Sequence, residues 1–213
     1  MKHRTVTSAR KLAGAPLAPY IARMFIETET TPNPATLKFL PNQRVMESGT
    51  RDFASPEEAE ASPLAQALFD TGEVVNVLFG RDFVSVTAAP GSDWSALKPM
   101  VVSVLLDHFV SGAPLFAGGV ADFAVPDDEP EVADDPAVAD IVEQIKDLIE
   151  TRVRPAVAND GGDIIYRGFR DGVVFLKMQG ACSGCPSSTA TLKQGIESLL
   201  KHYVPEVNEV RAA

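Results

Sequence analysis

The sequence predicts an α+β (mixed α/β) protein of two small domains, each a short mixed or antiparallel sheet with two helices. Three observations carry this. Strand-like and helix-like patterns follow one another twice, over residues 24–116 and again over 137–213. Between them, residues 117–136 hold seven acids, no base, and Pro126, Pro130 and Pro136, the composition of an extended, solvated linker. At 213 residues, 45% of them apolar, the chain has the length of one large domain or two small ones.

In the first domain, Phe25–Thr28 and Leu37–Leu40 read as short strands around Thr31-Pro32-Asn33-Pro34, whose prolines fix φ and extend the residues before them. Ser62 and Pro63 supply the N-cap and first-turn proline of a short helix through Leu64, Leu68 and Phe69. Val74–Phe79 and Phe83–Thr87 flank Gly80-Arg81-Asp82 as a hairpin. Ser92 is the expected cap of a second helix, along which Leu97, Val101, Val104, Leu105 and Phe109 recur at helical spacing. His108 is expected at the surface of that helix, not as a ligand. This domain has no cysteine, no histidine cluster and no glycine-rich phosphate loop.

The second domain reads α-β-β-α-β. Val138, Ile141, Val142, Ile145, Leu148 and Ile149 form the stripe of its first helix, with Arg152 and Arg154 near the C-terminus, where cations suit the dipole. Pro155 is expected to stop or kink that helix. Asp163–Phe169 and Val173–Met178 flank Asp171-Gly172, a strong hairpin signal. Ser187–Tyr203 form the second helix, with Leu192, Ile196, Leu199, Leu200 and Tyr203 inward; Pro205 ends it and Val207–Arg211 adds a strand. Gly195, inside that helix, costs ~1 kcal/mol relative to Ala. Close approach of another backbone, from this chain or a dimer mate, would justify it, and drift explains it equally. The acidic, proline-stiffened joint predicts that few contacts cross between the domains.

Residues 1–23 carry five Lys/Arg and no acid, without the apolar core of a secretory signal. The composition fits a mitochondrial transit peptide; a disordered tail ahead of a start at Met24 is the plainer reading. The net charge is −10 and the folded part has no basic block, which argues against nucleic-acid binding. The longest apolar stretch, Met100–Val110, is broken by Ser103, Asp107 and His108 and falls short of the ~18–20 residues of a bilayer span.

Both cysteines lie in Gly180-Ala181-Cys182-Ser183-Gly184-Cys185-Pro186-Ser187-Ser188, between a predicted strand and a predicted helix. The spacing lets two thiolates face one centre, and the glycines let the backbone turn around it. Ser187 and Ser188 are candidate caps. Free N–H groups and the positive end of the helix dipole are expected to favour thiolate. Three uses fit a C-x-x-C pair: a redox disulfide, a zinc site and an iron–sulfur cluster. A redox motif usually follows a thioredoxin-like βαβ pattern, whereas a tight hairpin precedes this one. Zinc and cluster sites normally take four protein ligands, so two thiolates per chain suggest a centre shared by two chains. Pro186 after the second cysteine resembles the Cys-Pro ending of ferredoxin cluster runs. The extra donors on offer are Asp163 and His202, the latter at the far end of the helix. Asn159-Asp160-Gly161-Gly162-Asp163 reads as a turn only.

The string RPAVANDGGDIIYRGFRDGVVFLKMQGACSGCPSSTATLKQGIESLLKHYVPEV resembles the NifU C-terminal-type domain. MFIETETTPNPATLKFLP, with LFGRDFVSVT and SGAPLF, resembles the N-terminal domain of the Nfu family, so the likeness spans residues 24–213. It implies an iron–sulfur cluster scaffold or carrier, not an enzyme, with a 4Fe–4S cluster held between two subunits by Cys182 and Cys185. It implies a homodimer when loaded, upstream cluster-assembly proteins as donors and apo iron–sulfur proteins as recipients. The compartment implied is the bacterial cytoplasm, with the mitochondrial matrix as alternative. From the residues alone, a thiol-disulfide oxidoreductase and a zinc-bridged structural dimer stay open.

Overall fold

The structure, a computed structural model, describes residues 25–118, 138–183 and 186–213. The basic segment 1–23, most of the acidic stretch and Cys185 lie outside the described residues, as do the side chains of the expected caps Ser187 and Ser188.

The first domain is an antiparallel sheet of β1 (Glu27–Thr30), β2 (Thr36–Leu40), β3 (Arg51–Phe53), β4 (Val74–Phe79) and β5 (Val84–Ala88), in the order β1-β2-β5-β4-β3. Strand alternation sends Phe39, Phe53, Val77, Phe79, Val84 and Val86 to one face. There they pack on Leu64 and Leu68 of α2 (Pro63–Phe69) and on Leu97, Val101 and Leu105 of α3 (Trp94–Ser111). Ser62 caps α2 as expected, its hydroxyl accepting from the Ala65 N–H. The cap of α3 is Asp93 rather than Ser92, because Asp93 is the extended residue and its carboxylate accepts from the Ser95 N–H at 2.8 Å. A third helix, the single turn α1 (Pro56–Ala59), joins the two expected.

The opposite face carries a row set by register. Glu29 pairs with Lys38, Lys38 with Ser85, Ser85 with Leu78 and Leu78 with Asp52. Directly paired residues share a face, so these five side chains cross the sheet in a line.

The second domain runs α4 (Ala139–Leu148), a π-helical turn (Ile149–Val153), α5 (Arg154–Asn159), β6 (Gly162–Arg170), β7 (Val173–Gly180), α6 (Pro186–Tyr203) and β8 (Glu209–Ala212). β6 and β7 are antiparallel, and β8 adds in parallel to β7. Asp171 and Gly172 both have positive φ (53° and 78°), the geometry of a two-residue primed turn. Pro155 does not stop the helical run: the π turn widens the backbone just before it, and Pro155 lies in the first turn of α5, where its missing N–H costs least. Tyr203 points outward, 41% exposed, its ring covered by the Arg152 guanidinium 5.0 Å from the centroid. A second core of Val142, Ile145, Ile149, Ile164, Leu176, Ile196 and Leu200 belongs to this domain alone. No helix among the described residues is long and apolar enough to cross a membrane.

Candidate metal centre

Two loops frame Cys182. The first carries it from β7 into α6. Gly180 (φ +60°) reverses the chain, and its carbonyl accepts from the Ser183 N–H (3.0 Å) and hydroxyl (2.8 Å). From the first turns of α6, the Thr189 hydroxyl donates to the Cys182 carbonyl at 2.9 Å. The second loop is the turn between α5 and β6, tied to the first where the Ala181 N–H donates to the Gly161 carbonyl (3.2 Å). Gly162 pairs with Gly180 in register, and a Cβ on Gly162 would collide with the Cys182 sulfur. The thiol therefore lies against bare backbone, 6% exposed and packed on the second core. The Asn159–Asp163 turn, which sequence reasoning treated as connection only, is the floor of the cysteine site. The signal was the doubled glycine.

Asp163 is already engaged. Arg154 grips its carboxylate with two donors, Nε at 2.8 Å and Nη2 at 2.7 Å, and the Thr50 hydroxyl donates to it at 2.5 Å. Glu150 holds the third guanidinium nitrogen at 2.8 Å. Arg154 thus serves as an ion-pair anchor beside the site rather than as a compensator of the helix dipole. His202 is exposed in the last turn of α6, edge-on to Tyr203, remote from the cysteine loop. His108 is half-buried on α3, and burial holds its imidazole below the usual range. Among the described residues, no three His, Cys, Asp or Glu side chains gather as a metal site.

Burial pushes the Cys182 thiol up to about 12, and the charges of Asp160 and Asp163 add to it. This reverses the expected preference for thiolate: the low-dielectric floor and two carboxylates outweigh a helix start four residues further on. In a Cys185→Ser background, alkylation of Cys182 should rise about tenfold per pH unit from pH 7 to beyond 10, since only thiolate reacts. A plateau near the ordinary thiol value of about 9 would contradict the burial argument. A folded pKa raised above the unfolded one protects the metal-free fold below pH 9, and that protection is lost as pH climbs toward 12.

Contrary to the expectation of few contacts, the two domains touch at this site. The Asn33 side-chain amide donates to the Ser183 carbonyl (3.3 Å), Lys38 Nζ to the Asn159 carbonyl (3.1 Å), and Thr50 to Asp163. Two of the three go to backbone carbonyls, of Ser183 in the cysteine loop and of Asn159 at the end of α5. A cavity of about 40 Å³ beside Cys182 is lined by Pro32, Asp160, Ala181 and Leu192. Pro32, Asp160 and Leu192 also line an apolar groove of about 620 Å³ that runs along α6 past Gly195. Among the described residues, no atom beyond Gly195's chain neighbours and its own helix backbone lies within 4 Å of a Cβ placed on it, so close approach of another described element does not account for that glycine.

Fold and site together define a class: a two-domain α+β protein whose second domain carries a C-x-x-C loop between a strand and a helix. Residues 26–112 match the family model described as scaffold protein Nfu/NifU N terminal, and residues 145–211 match the NifU-like domain. The chain belongs to the Nfu/NifU-like scaffold family. It is 48% identical over 193 residues to NifU-like protein 4, mitochondrial, of Arabidopsis thaliana, covering 88% of this chain and 65% of that relative, just under two thirds of its length. It is 49% identical over 193 residues to NifU-like protein 5, mitochondrial, of the same plant, covering 88% and 67%. To the NFU1 iron-sulfur cluster scaffold homolog, mitochondrial, of Homo sapiens it is 45% identical over 204 residues, covering 94% and 77%.

Proposed function

We propose that this protein is an iron–sulfur cluster scaffold and carrier that holds a 4Fe–4S cluster as cargo through Cys182 and Cys185 of two chains and passes it to apo-proteins. The observation that carries the reading is the donor set. A strand-to-helix loop in a NifU-like domain offers a C-x-x-C pair, and these are the chain's two cysteines. Two thiolates per chain and four ligands per cluster give a homodimer around one cluster. Loading displaces the proton of Cys182, so binding couples to pH. A cluster held by two residues per chain is open to an incoming thiolate, and a recipient with three or four placed cysteines gains by chelation. Upstream assembly proteins supply the cargo, and the first domain orients the carrier domain or selects recipients.

A thiol held protonated is a poor attacking group, which weighs against the oxidoreductase reading. Reduced cysteines require a reducing compartment. The bacterial cytoplasm meets that need, and the mitochondrial names of the relatives favour the matrix as the alternative.

Anaerobic reconstitution with ferrous iron and sulfide should give about one 4Fe–4S cluster per two chains, with dimerisation dependent on the cluster. Absorption, Mössbauer spectra and native mass measurement read it out. Cys182→Ala should abolish both loading and dimer. A cluster on a stable monomer, with Cys182→Ala still loading, would overturn the shared site; zinc without a visible charge-transfer band would favour a zinc-bridged dimer.

A further inference from the structure

We propose that the sheet of the first domain is a releasable cap on the cysteine loop, docked through the row Glu29, Lys38, Ser85, Leu78 and Asp52. The cap's purpose rests on the reading of Cys182 and Cys185 as the cluster site; its existence as a closed form does not.

The row meets both loops that frame Cys182. Lys38, itself buried, pairs with Glu29 at 3.2 Å and donates to the Asn159 carbonyl at the end of α5. Ser85 stands over Gly161 and Leu78 over Gly180, so closely that a Cβ on either glycine would fall 2.7 Å from the Ser85 hydroxyl or 2.5 Å from a Leu78 methyl. Asp52 lies at the Gly180 end of the row, close enough for that residue's backbone to lower its carboxylate against the burial that raises it. The β1–β2 turn completes the seal. Pro32 lines the small cavity beside Cys182, and Asn33 bonds the carbonyl of Ser183, a residue inside the C-x-x-C itself.

The same contacts make the cap removable. The two cores share no residue, and Leu78, the one fully buried apolar side chain in the row, belongs to neither. The rest of the row is polar, and the buried Ser85 hydroxyl has no hydrogen-bond partner, which works against docking. An interface of this kind, polar and without a common core, opens far more readily than a domain unfolds. The closed form shields the thiol loop; the open form frees it for a second chain.

The test uses the metal-free full chain with Cys185→Ser, so that Cys182 is the single thiol, and measures iodoacetamide labelling by mass at one pH. Leu78→Arg and Lys38→Glu, each keeping the parent's far-UV spectrum, should label about tenfold faster or more as the docked fraction falls. Lys38→Glu is decisive, because its added negative charge alone would slow thiolate formation; a faster rate therefore reports exposure. Trp94 emission reports whether Leu78→Arg leaves the first domain folded, and if it does not, Lys38→Glu decides. Parent-like labelling in the folded variants overturns the cap. Cluster loading plays no part in this readout, so failed reconstitution sinks the carrier reading and leaves the labelling result standing.

Discussion

Replacing Arg154 by methionine is expected to cost the second domain about 3–5 kcal/mol, the penalty for leaving a buried charge without its partner. Asp163 is only 2% exposed and takes two donors from Arg154 at 2.7 and 2.8 Å. Without them its carboxylate keeps only the Thr50 hydroxyl among the side-chain donors described above, and burial outweighs that single bond. Arg154→Lys should cost less but remain clearly destabilising, since an ammonium cannot reproduce the fork. Adding Asp163→Leu to Arg154→Met should recover a good part of the loss, because an apolar pair needs no compensation. Urea unfolding followed by far-UV circular dichroism checks all three. A cost near 1 kcal/mol for Arg154→Met would place the pair among ordinary surface bridges. The damage should also reach the cysteine site: Asp163 follows Gly162, against which Cys182 lies, and pairs across the hairpin with Gln179.

What could be read in the sequence was what local chemistry decides. Asp171-Gly172 demanded a primed turn, Ser62-Pro63 demanded a helix start, and the glycine-flanked cysteine motif demanded a strand-to-helix loop; each is where it was expected. The strand β3 and the helix α1 escaped because three and four residues are too few to show a period. Tyr203 was placed inward by spacing, which cannot see that Arg152 would cover its ring in solvent. The stop expected at Pro155 does not come, because a proline rule assumes a regular ladder and the π turn before it is not regular. The docking of the domains was hidden for a deeper reason. Lys38, Ser85 and Asp52 alternate with core residues as solvent-facing positions do, so their burial is set by a partner domain, not by their own strand. The direction of the Cys182 thiol failed likewise: the dipole is local, while the burial that overrides it is tertiary.

Phe79→Ala is expected to remove about 3–5 kcal/mol from the first domain and little from the second. Phe79 is fully buried, edge-on to Phe53 with centroids 5.0 Å apart and to Phe116 at 6.4 Å, so truncation leaves a cavity that three neighbouring elements would have to shift to fill. A domain of this size has about 5–15 kcal/mol in total, so the loss brings it close to unfolding. The chain's one tryptophan makes this visible: Trp94 packs against the first core, 6.4 Å from Phe39, and reports that domain alone. Its emission transition in urea should fall by roughly 2 M, while the circular-dichroism transition of the second domain moves by a small fraction of that. Cys182 should label faster as the capping sheet is lost, and cluster loading should persist, because every proposed ligand and the whole second core lie beyond residue 137. By the same logic an isolated 137–213 fragment should fold and take up a cluster, with residues 24–116 folding and taking up none. If the two transitions instead fall together by similar amounts, the row from Glu29 to Asp52 binds the domains into one cooperative unit. A carrier of that kind could expose its cysteine loop only by unfolding.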